Sequence, residues 1–435
     1  MRVSKGQLSF TLALLFAINF MNFYDRQVLG AIGEQIKNEW HLSDSQLAGL
    51  TTAFVLLYAV VGIPLGRLAD VGRRKNILAA GVVVWSLFTA LSGLAGSFAM
   101  LVVYRLGVGV GEASAAPTAN SLIGDLFPAR QRARAISIFM LGLPLGFGAS
   151  YLVSGLIAKA TGGWRPALFV AAVPGFVLGA LALLLPEPKR GAADPGLAVA
   201  SSSQLQAIRD VLRIRTMWWI IASGALFNLN MYALGAFNTS FLIRYHLLDI
   251  DFANRFSAMI YGVGGGVGML LGGWLGDRVA HRADGPRARM RVASLACLIA
   301  APLFWLALQQ PRGAPWNVSL LMLAGCISMY TYYSTVYATI HDIVAPQMRG
   351  TAMAVYFLVF YLFTAIGLMS FGRLSDGLTQ RARLAGASAI DSRALGLHDA
   401  MYVIPAVLLL LVVILWSGSR TVEEDHRRLQ ATSLA

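Results

Sequence analysis

Apolar runs of about twenty residues recur along the whole chain, and no other feature restricts its fold as much. About 20 residues of helix cross the hydrocarbon layer of a bilayer, where each backbone polar group must be satisfied inside its own segment. Twelve such spans are predicted, at about 8–30, 45–68, 76–96, 98–121, 133–158, 165–185, 216–243, 253–276, 289–309, 316–341, 350–374 and 399–418. Of the 435 residues, 57% are hydrophobic and only 13% charged, more apolar surface than a soluble chain could bury. The expected fold class is an all-α integral membrane protein.

A net charge of +14 could suggest a nucleic-acid partner. The distribution of the charge argues otherwise. Of 35 Lys and Arg, 23 lie at the chain ends and in the even-to-odd connections, against 10 on the other side. The positive-inside rule then puts both termini in the cytoplasm, and no nucleic acid is expected. The start, Met1-Arg2-Val3-Ser4-Lys5, leads into an apolar stretch too long for a signal-peptide core, so the first span is expected to stay as an uncleaved anchor. Cys297 and Cys326 fall in apolar spans without metal-ligand spacing and read as small hydrophobes.

The longest cytoplasmic connection, 187–215, divides the spans six and six. It opens Pro186-Glu187-Pro188-Lys189 and runs through Ser201-Ser202-Ser203, the composition of a flexible linker. Leu205, Ile208, Val211 and Leu212 then recur at helical spacing among Arg209, Arg213 and Arg215. That pattern suits a short amphipathic helix on the inner leaflet, or a solvated charged one. The expected domains are a six-helix bundle over 1–186, the linker 187–215, a second bundle over 216–420, and a cytoplasmic tail 421–435.

The halves repeat. Gly66 and Asp70 end the second span, with Arg73-Arg74-Lys75 after them, and Gly273, Asp277 and Arg278 end the eighth. Asp125-Leu126-Phe127-Pro128 follows the fourth span and Asp342-Ile343-Val344-Ala345-Pro346 follows the tenth. Two six-helix halves of like orientation around a midplane site are the arrangement of an alternating-access carrier. Glycines at four-residue spacing near these motifs predict close helix approach.

Charge within the spans marks the candidate site. Asp25 and Arg26 lie in the first span, where each charge costs roughly 2.5–3.5 kcal/mol on insertion scales unless it faces a cavity or a partner. Asn22 precedes them by one turn and shares their face. Arg105 and Glu112 are seven apart on the fourth span, two turns or about 10 Å along one side. Asp25, Arg26, Arg105 and Glu112 can therefore form one buried cluster. Burial favours a neutral acid and neighbouring Arg a carboxylate, so an acid between these influences can take up and release a proton. Asp25 and Glu112 are the expected proton-coupling residues. Arg26 and Arg105 are expected to hold them in register, one of them meeting an anionic head group. A permanent ion-pair network that pins two helices is the plainer alternative.

The second half lacks such a cluster. It offers Asn228 and Tyr232 on the seventh span and Tyr333 and Tyr337, four apart, on the tenth. With Tyr58 of the second span, these are candidate lining for an amphipathic ligand, although aromatic packing explains any single ring as well. Gly66, Asp70, Arg74, Asp125, Arg134, Asp277 and Arg278 are the expected conformational gate. Pro144, among Gly142, Gly146 and Gly148, is expected to bend the fifth helix.

These motifs resemble the major facilitator superfamily across essentially the whole chain. The usual basic residue after the first motif's Asp is Val71 here, which implies a weaker latch, whereas Arg278 keeps it in the copy. Asn22-Phe23-Tyr24-Asp25-Arg26, Arg105-Leu106-Gly107 through Glu112-Ala113, Ile123-Gly124-Asp125-Leu126-Phe127 and Leu143-Pro144-Leu145-Gly146 resemble, more narrowly, the Spinster family. That resemblance implies the major facilitator fold, twelve helices in two pseudo-symmetric bundles. It also implies a proton-coupled secondary transporter moving a lysophospholipid or sphingosine-phosphate-like lipid. The Asp-Arg and Glu-Ala pairs also resemble anion:cation symporters of sugar acids, and a drug or amphiphile efflux antiporter is a further alternative. The partners expected are this substrate, protons and membrane lipids, for a monomeric protein in a bacterial inner membrane. No enzyme or cofactor is expected: the six histidines pair neither with each other nor with cysteine at metal spacing, and no Walker-type glycine loop occurs.

Overall fold

The computed structural model describes residues 4–127, 129–189, 204–280, 285–345 and 348–434. Their regular structure is helical. In chain order the helices are α1 (Lys5–Trp40), α2 (Asp44–Val71), α3 (Arg74–Gly93), α4 (Phe98–Glu112), α5 (Ala115–Leu126), α6 (Ala129–Met140), α7 (Gly142–Thr161) and α8 (Arg165–Ala182). Then come α9 (Gln204–Arg213), α10 (Arg215–Arg244), α11 (Ile250–Ala258), a π-helical turn at Met259–Val263, and α12 (Gly264–Ala280). The chain ends with α13 (Gly285–Leu308), α14 (Pro315–Ile343), α15 (Arg349–Leu384), α16 (Ala389–Met401) and α17 (Val403–Leu434).

Eleven stretches among the described residues are long and apolar enough to cross a membrane. The remaining predicted span, 316–341, is α14, unbroken through 29 residues. Its tyrosines, serines and threonines lower its hydropathy without shortening it. Ser43 caps α2 through a capping box, its hydroxyl accepting from Gln46 N–H while its own N–H donates to Gln46 Oε1. Ser4 and Gln7 do the same for α1. The first helix runs ten residues beyond its expected end at 30, because Lys37 is buried and ion-paired with Asp44 at the start of α2.

Three spans expected to be continuous are interrupted, each beside the residue four before a proline. The breaks lie at Ala113-Ser114, Leu141 and Tyr402, upstream of Pro117, Pro144 and Pro405. Proline has no N–H to give to the carbonyl four residues back, so the ladder loses a rung there. The discontinuity in the fifth span thus precedes Pro144, which sits in the first turn of α7.

The chain forms two compact units. One comprises Met1–Ala198 with Asp249–Ala258, the other Val199–Leu248 with Met259–Ala435. In the first, α1 packs on α7, and α3 on α4 and α8. In the second, α13 packs on α14 and α17, and α12 on α14. Cys297 and Cys326 are buried and unbridged.

Past the end of α10, outside the spans, His246 is buried with neither ring nitrogen hydrogen-bonded among the described residues. It meets Tyr245 edge-on at 5.1 Å. Burial, then nearby His398 and Arg312, pushes its pKa down to about 4. Because this lies below the unfolded value of about 6.5, the neutral ring stabilises the fold above pH 6.5, and that contribution is lost as the pH falls from there towards 4. At pH 5 the loss is about 2 kcal/mol. His246→Phe is therefore expected to narrow the gap between melting temperatures at pH 7.5 and pH 5. An unchanged gap in detergent-purified protein would show that the ring does not set acid stability.

Candidate functional site

In the first unit α4 reaches its neighbours closely enough to deliver its charges to α1. A Cβ on Gly109 would come within 3.2 Å of the Phe54 carbonyl oxygen, and one on Gly111 within 2.6 Å of Trp85 N. Side chains at these two positions would push α4 away from α2 and α3. With hydrogen there, Arg105 and Glu112 face α1, and both are buried.

The four ionisable residues predicted to cluster do come together, in an unequal pairing. Arg26 Nε donates to Glu112 Oε2 at 2.8 Å, and neither side chain is more than 4% exposed. Arg26 is also walled by aromatic rings, with Cζ 4.3 Å from the Tyr58 centroid, 5.2 Å from Phe23 and 5.6 Å from Phe54. Desolvated cation–π contacts are worth about 2 kcal/mol or more, so the guanidinium is held from several sides. Arg105 donates from Nη2 to the Asp25 backbone carbonyl at 3.0 Å, not to its carboxylate.

Both Asp25 carboxylate oxygens therefore lie fully buried without a hydrogen-bond partner among the described residues. Arg105 Nε and Nη1, Glu112 Oε1 and Asn22 Nδ2 share that condition. Thr89 of α3 lies beside Asp25, and Asn22 beside Glu112. A buried acid normally finds a partner, and one left without it costs several kcal/mol if it stays charged. Arg26 is committed to Glu112 and to three rings. Arg105 retains two nitrogens, Nε and Nη1, unengaged among the described residues.

Further polar contacts tie α1 to its other neighbours in the unit. Tyr24 Oη meets Ser154 Oγ at 3.1 Å, and Gln27 donates to Tyr151, both on α7. Asn19 Nδ2 donates to the Phe139 carbonyl at 2.7 Å.

In the second unit the predicted aromatic residues form one connected packing of rings from α10, α14 and α15. Tyr332 stacks on Phe227 at 4.1 Å, Tyr333 meets Tyr337 edge-on at 5.5 Å, and Tyr337 meets Tyr356 at 5.7 Å. The polar tips bond within the unit: Ser223 Oγ to Tyr332 Oη at 2.9 Å, and Tyr333 Oη to Met231 Sδ at 3.0 Å. Asn228 donates to Thr364 and to the Phe360 carbonyl, and Tyr232 is buried nearby on α10. Thr89, Phe54, Phe227, Ser223 and Thr364 were not anticipated. Phe54 precedes Tyr58 by four residues and so shares its helix face, a signal the sequence did hold.

The expected gate residues fall into two matching clusters. Arg74, buried at the start of α3, reaches Asp125, Ser121 Oγ at 3.1 Å, Glu187 Oε1 at 2.8 Å and the Pro188 carbonyl at 2.6 Å. Glu187 also accepts from Lys75 N–H at 3.1 Å, which ties the beginning of the linker to α3. In the second unit Arg289 pairs with Asp342 and, at 3.5 Å, with Asp277. His426 Nδ1 donates to the Asp342 carbonyl at 2.7 Å. Arg278 lies over Trp274, 5.1 Å from its centroid, and Arg134 is exposed on α6. The Asp70 side chain lies outside those described. Close approach through glycine holds for the copy but not the original: nothing described lies within 4 Å of a Cβ on Gly62 or Gly66. The end of α2 there is exposed, Val71 at 76%, with no helix against Gly62 or Gly66 among the described residues.

The chain matches the Major Facilitator Superfamily over residues 15–368. It is 28% identical to an MFS-type efflux pump of Mycolicibacterium smegmatis over 397 residues, covering 91% of this chain and 90% of that one. It is 30% identical to Protein spinster homolog 1 of Xenopus tropicalis over 380 residues, covering 81% and 70%. The crystal structure of a bacterial homolog to the human lysosomal transporter Spinster, inward-facing and unoccupied, superposes with a TM-score of 0.85 at 27% identity, covering 97% of this chain and 99% of that one.

Proposed function

The chain belongs to the Major Facilitator Superfamily, as a multi-pass membrane transporter of the Spinster type, and from that premise we propose that it couples proton movement to the transport of an amphipathic anion. A lysophospholipid or sphingosine-phosphate-like lipid is the substrate class. Both termini face the cytoplasm of a bacterial cell, and the carrier works as a monomer in the inner membrane.

One observation carries the reading: the Asp25 carboxylate is fully buried with neither oxygen engaged, one residue from the Arg26–Glu112 pair. A permanent structural pin would place that carboxylate on Arg105, which instead grips the backbone beside it. A buried acid that is not hydrogen-bonded to a base is suited to carry a proton, and intramembrane acids commonly mark ion pathways. Arg105, with Nε and Nη1 unengaged among the described residues, is the residue suited to an anionic head group.

A second reading, export of drugs or other amphiphiles, is favoured by the likeness to the mycobacterial efflux pump. Symport of small sugar acids would use the same four charged residues. Ligand-induced thermal stabilisation of purified protein at pH 5.5 and 7.5 separates the three. Lysophospholipids and sphingosine phosphate are set against galactonate and a panel of cationic drugs. A pH-dependent shift with the lipids alone supports the proposal; a shift confined to galactonate or to the drugs overturns it.

A further inference from the structure

Helix α3 carries three hydroxyl residues at intervals of three, Ser86, Thr89 and Ser92, and all are buried. In a helix without water around it, such a hydroxyl commonly bonds back to the carbonyl four residues before it. Ser86 Oγ does so with Val82 at 2.8 Å, and Ser92 Oγ with Phe88 at 2.7 Å. Thr11, Thr335, Thr339 and Thr364 do the same on other helices. Thr89 does not. Its hydroxyl is fully buried and is withheld from the Trp85 carbonyl.

The packing of α3 on α4 within the first unit shows what that hydroxyl faces instead. A Cβ on Gly107 would come within 2.4 Å of the Phe88 ring, one on Gly111 within 2.6 Å of Trp85 N, and one on Gly81 within 2.8 Å of the Gly111 carbonyl. Numbers on α3 fall as those on α4 rise, so the helices are antiparallel and Thr89 stands level with Arg105 and Leu106. Arg105 at that level touches α1, donating to the Asp25 carbonyl. Thr89 thereby stands beside the Asp25 carboxylate. The charged groups that face the same carboxylate are Arg105 and Glu112 of α4. On α1 itself Arg26 is held by Glu112 and Tyr24 meets Ser154, while Tyr151 of α7 accepts from Gln27.

From this placement we propose that Thr89 is a positioning residue for Asp25, its hydroxyl being the neutral partner of that acid in both of its protonation states. The proposal rests on the reading of Asp25 as the proton carrier. A hydroxyl holds one hydrogen and two lone pairs. With Asp25 ionised, Thr89 donates to the carboxylate. When a proton is added to a carboxylate oxygen, the acid's own O–H becomes the donor and Thr89 Oγ1 accepts. Thr89 gains and loses no proton; one hydrogen bond reverses direction. The bond to the charged form is the stronger of the two, so Thr89 favours release of the proton.

Infrared difference spectra of the full-length protein in lipid nanodiscs, recorded across a pH series, test this without any substrate. The carboxyl C=O band that the parent shows and Asp25→Asn lacks belongs to Asp25, and its loss as the pH rises gives a midpoint. Thr89→Val keeps the side-chain shape and removes the hydroxyl. Its midpoint is expected about one pH unit above that of the parent, the difference between a charge-assisted and a neutral hydrogen bond. Thr89→Ser should return the midpoint to the parental value. If Thr89→Val does not fold, Thr89→Ala removes the same hydroxyl and is read in the same way. A folded Val or Ala variant with an unmoved midpoint overturns the role of Thr89, reduces it to packing, and leaves Asp25 as the proton carrier. A parent without an Asp25 band at any pH overturns the proton reading itself, and this proposal with it.

Discussion

Asp25→Asn protein is expected to fold and insert normally while losing uptake driven by a pH gradient. The amide is isosteric with the acid and cannot carry the proton. Neither carboxylate oxygen is bonded to an Arg among the described residues, and the amide can still meet the neighbouring Thr89 hydroxyl, so no ion pair is broken by the change. Melting should therefore stay within about 1 kcal/mol of the parent. Gradient-driven entry of lysophosphatidylethanolamine into proteoliposomes should fall by roughly two orders of magnitude, to the level of empty vesicles. Counterflow of labelled against unlabelled lipid, which needs binding and alternation but no gradient, should survive. The opposite pattern, a marked loss of stability with gradient-driven uptake intact, would make Asp25 a structural residue and remove the coupling role.

Glu112→Gln should behave in the contrary way on stability. It removes the charge that balances Arg26, which is buried among Phe23, Phe54 and Tyr58. A buried cation left without its counter-charge costs about 3–5 kcal/mol, so the variant should melt several degrees lower. Replacing the pair together, Arg26→Met with Glu112→Leu, removes both charges and keeps apolar volume. Stability is then expected to return to the parental level or exceed it. Transport should not return, because the pair is proposed to be part of the machinery rather than only a pin between α1 and α4. A double variant that transports would show the pair to be dispensable bracing. A double-mutant cycle on melting would measure the coupling of the two residues directly.

These two expectations separate what composition and spacing could reveal from what they could not. The seven-residue interval between Arg105 and Glu112 put both on one face of α4, and Asn22, Asp25 and Arg26 shared a face of α1. That much follows from the 3.6-residue period. Which acid would meet which base does not follow, because the pairing depends on how α4 is shifted along α1. Gly109 and Gly111 seat α4 against α2 and α3, and in that seat Glu112 reaches Arg26 while Arg105 lies at the Asp25 backbone. The repeated Arg and Asp after the second, fourth, eighth and tenth spans likewise announced two similar ion clusters. That Glu187, at the very start of the linker, is drawn into the first of them was not legible, since the segment reads as flexible by composition.

Helix interruptions show the same division. Prolines at 117, 144 and 405 were visible, yet so were those at 64, 174 and 302, which sit inside unbroken helices. Only the neighbours of each helix decide whether the lost hydrogen bond opens a break or is absorbed. The π turn at Met259–Val263 carries no proline and left no signal in a local reading.

By itself the sequence determined the membrane class, the helical spans, the internal repeat and the set of ionisable residues forced to share an apolar interior. Each follows from a local quantity: hydropathy over about twenty residues, helical periodicity, or the cost of burying a charge. The tertiary structure alone decided the partners within that set, committing Glu112 to Arg26 and leaving the Asp25 carboxylate unengaged. It also decided the division of the eighth span between two units. Both rest on distances between segments tens to hundreds of residues apart, set by packing at glycines and aromatic rings that no local pattern encodes.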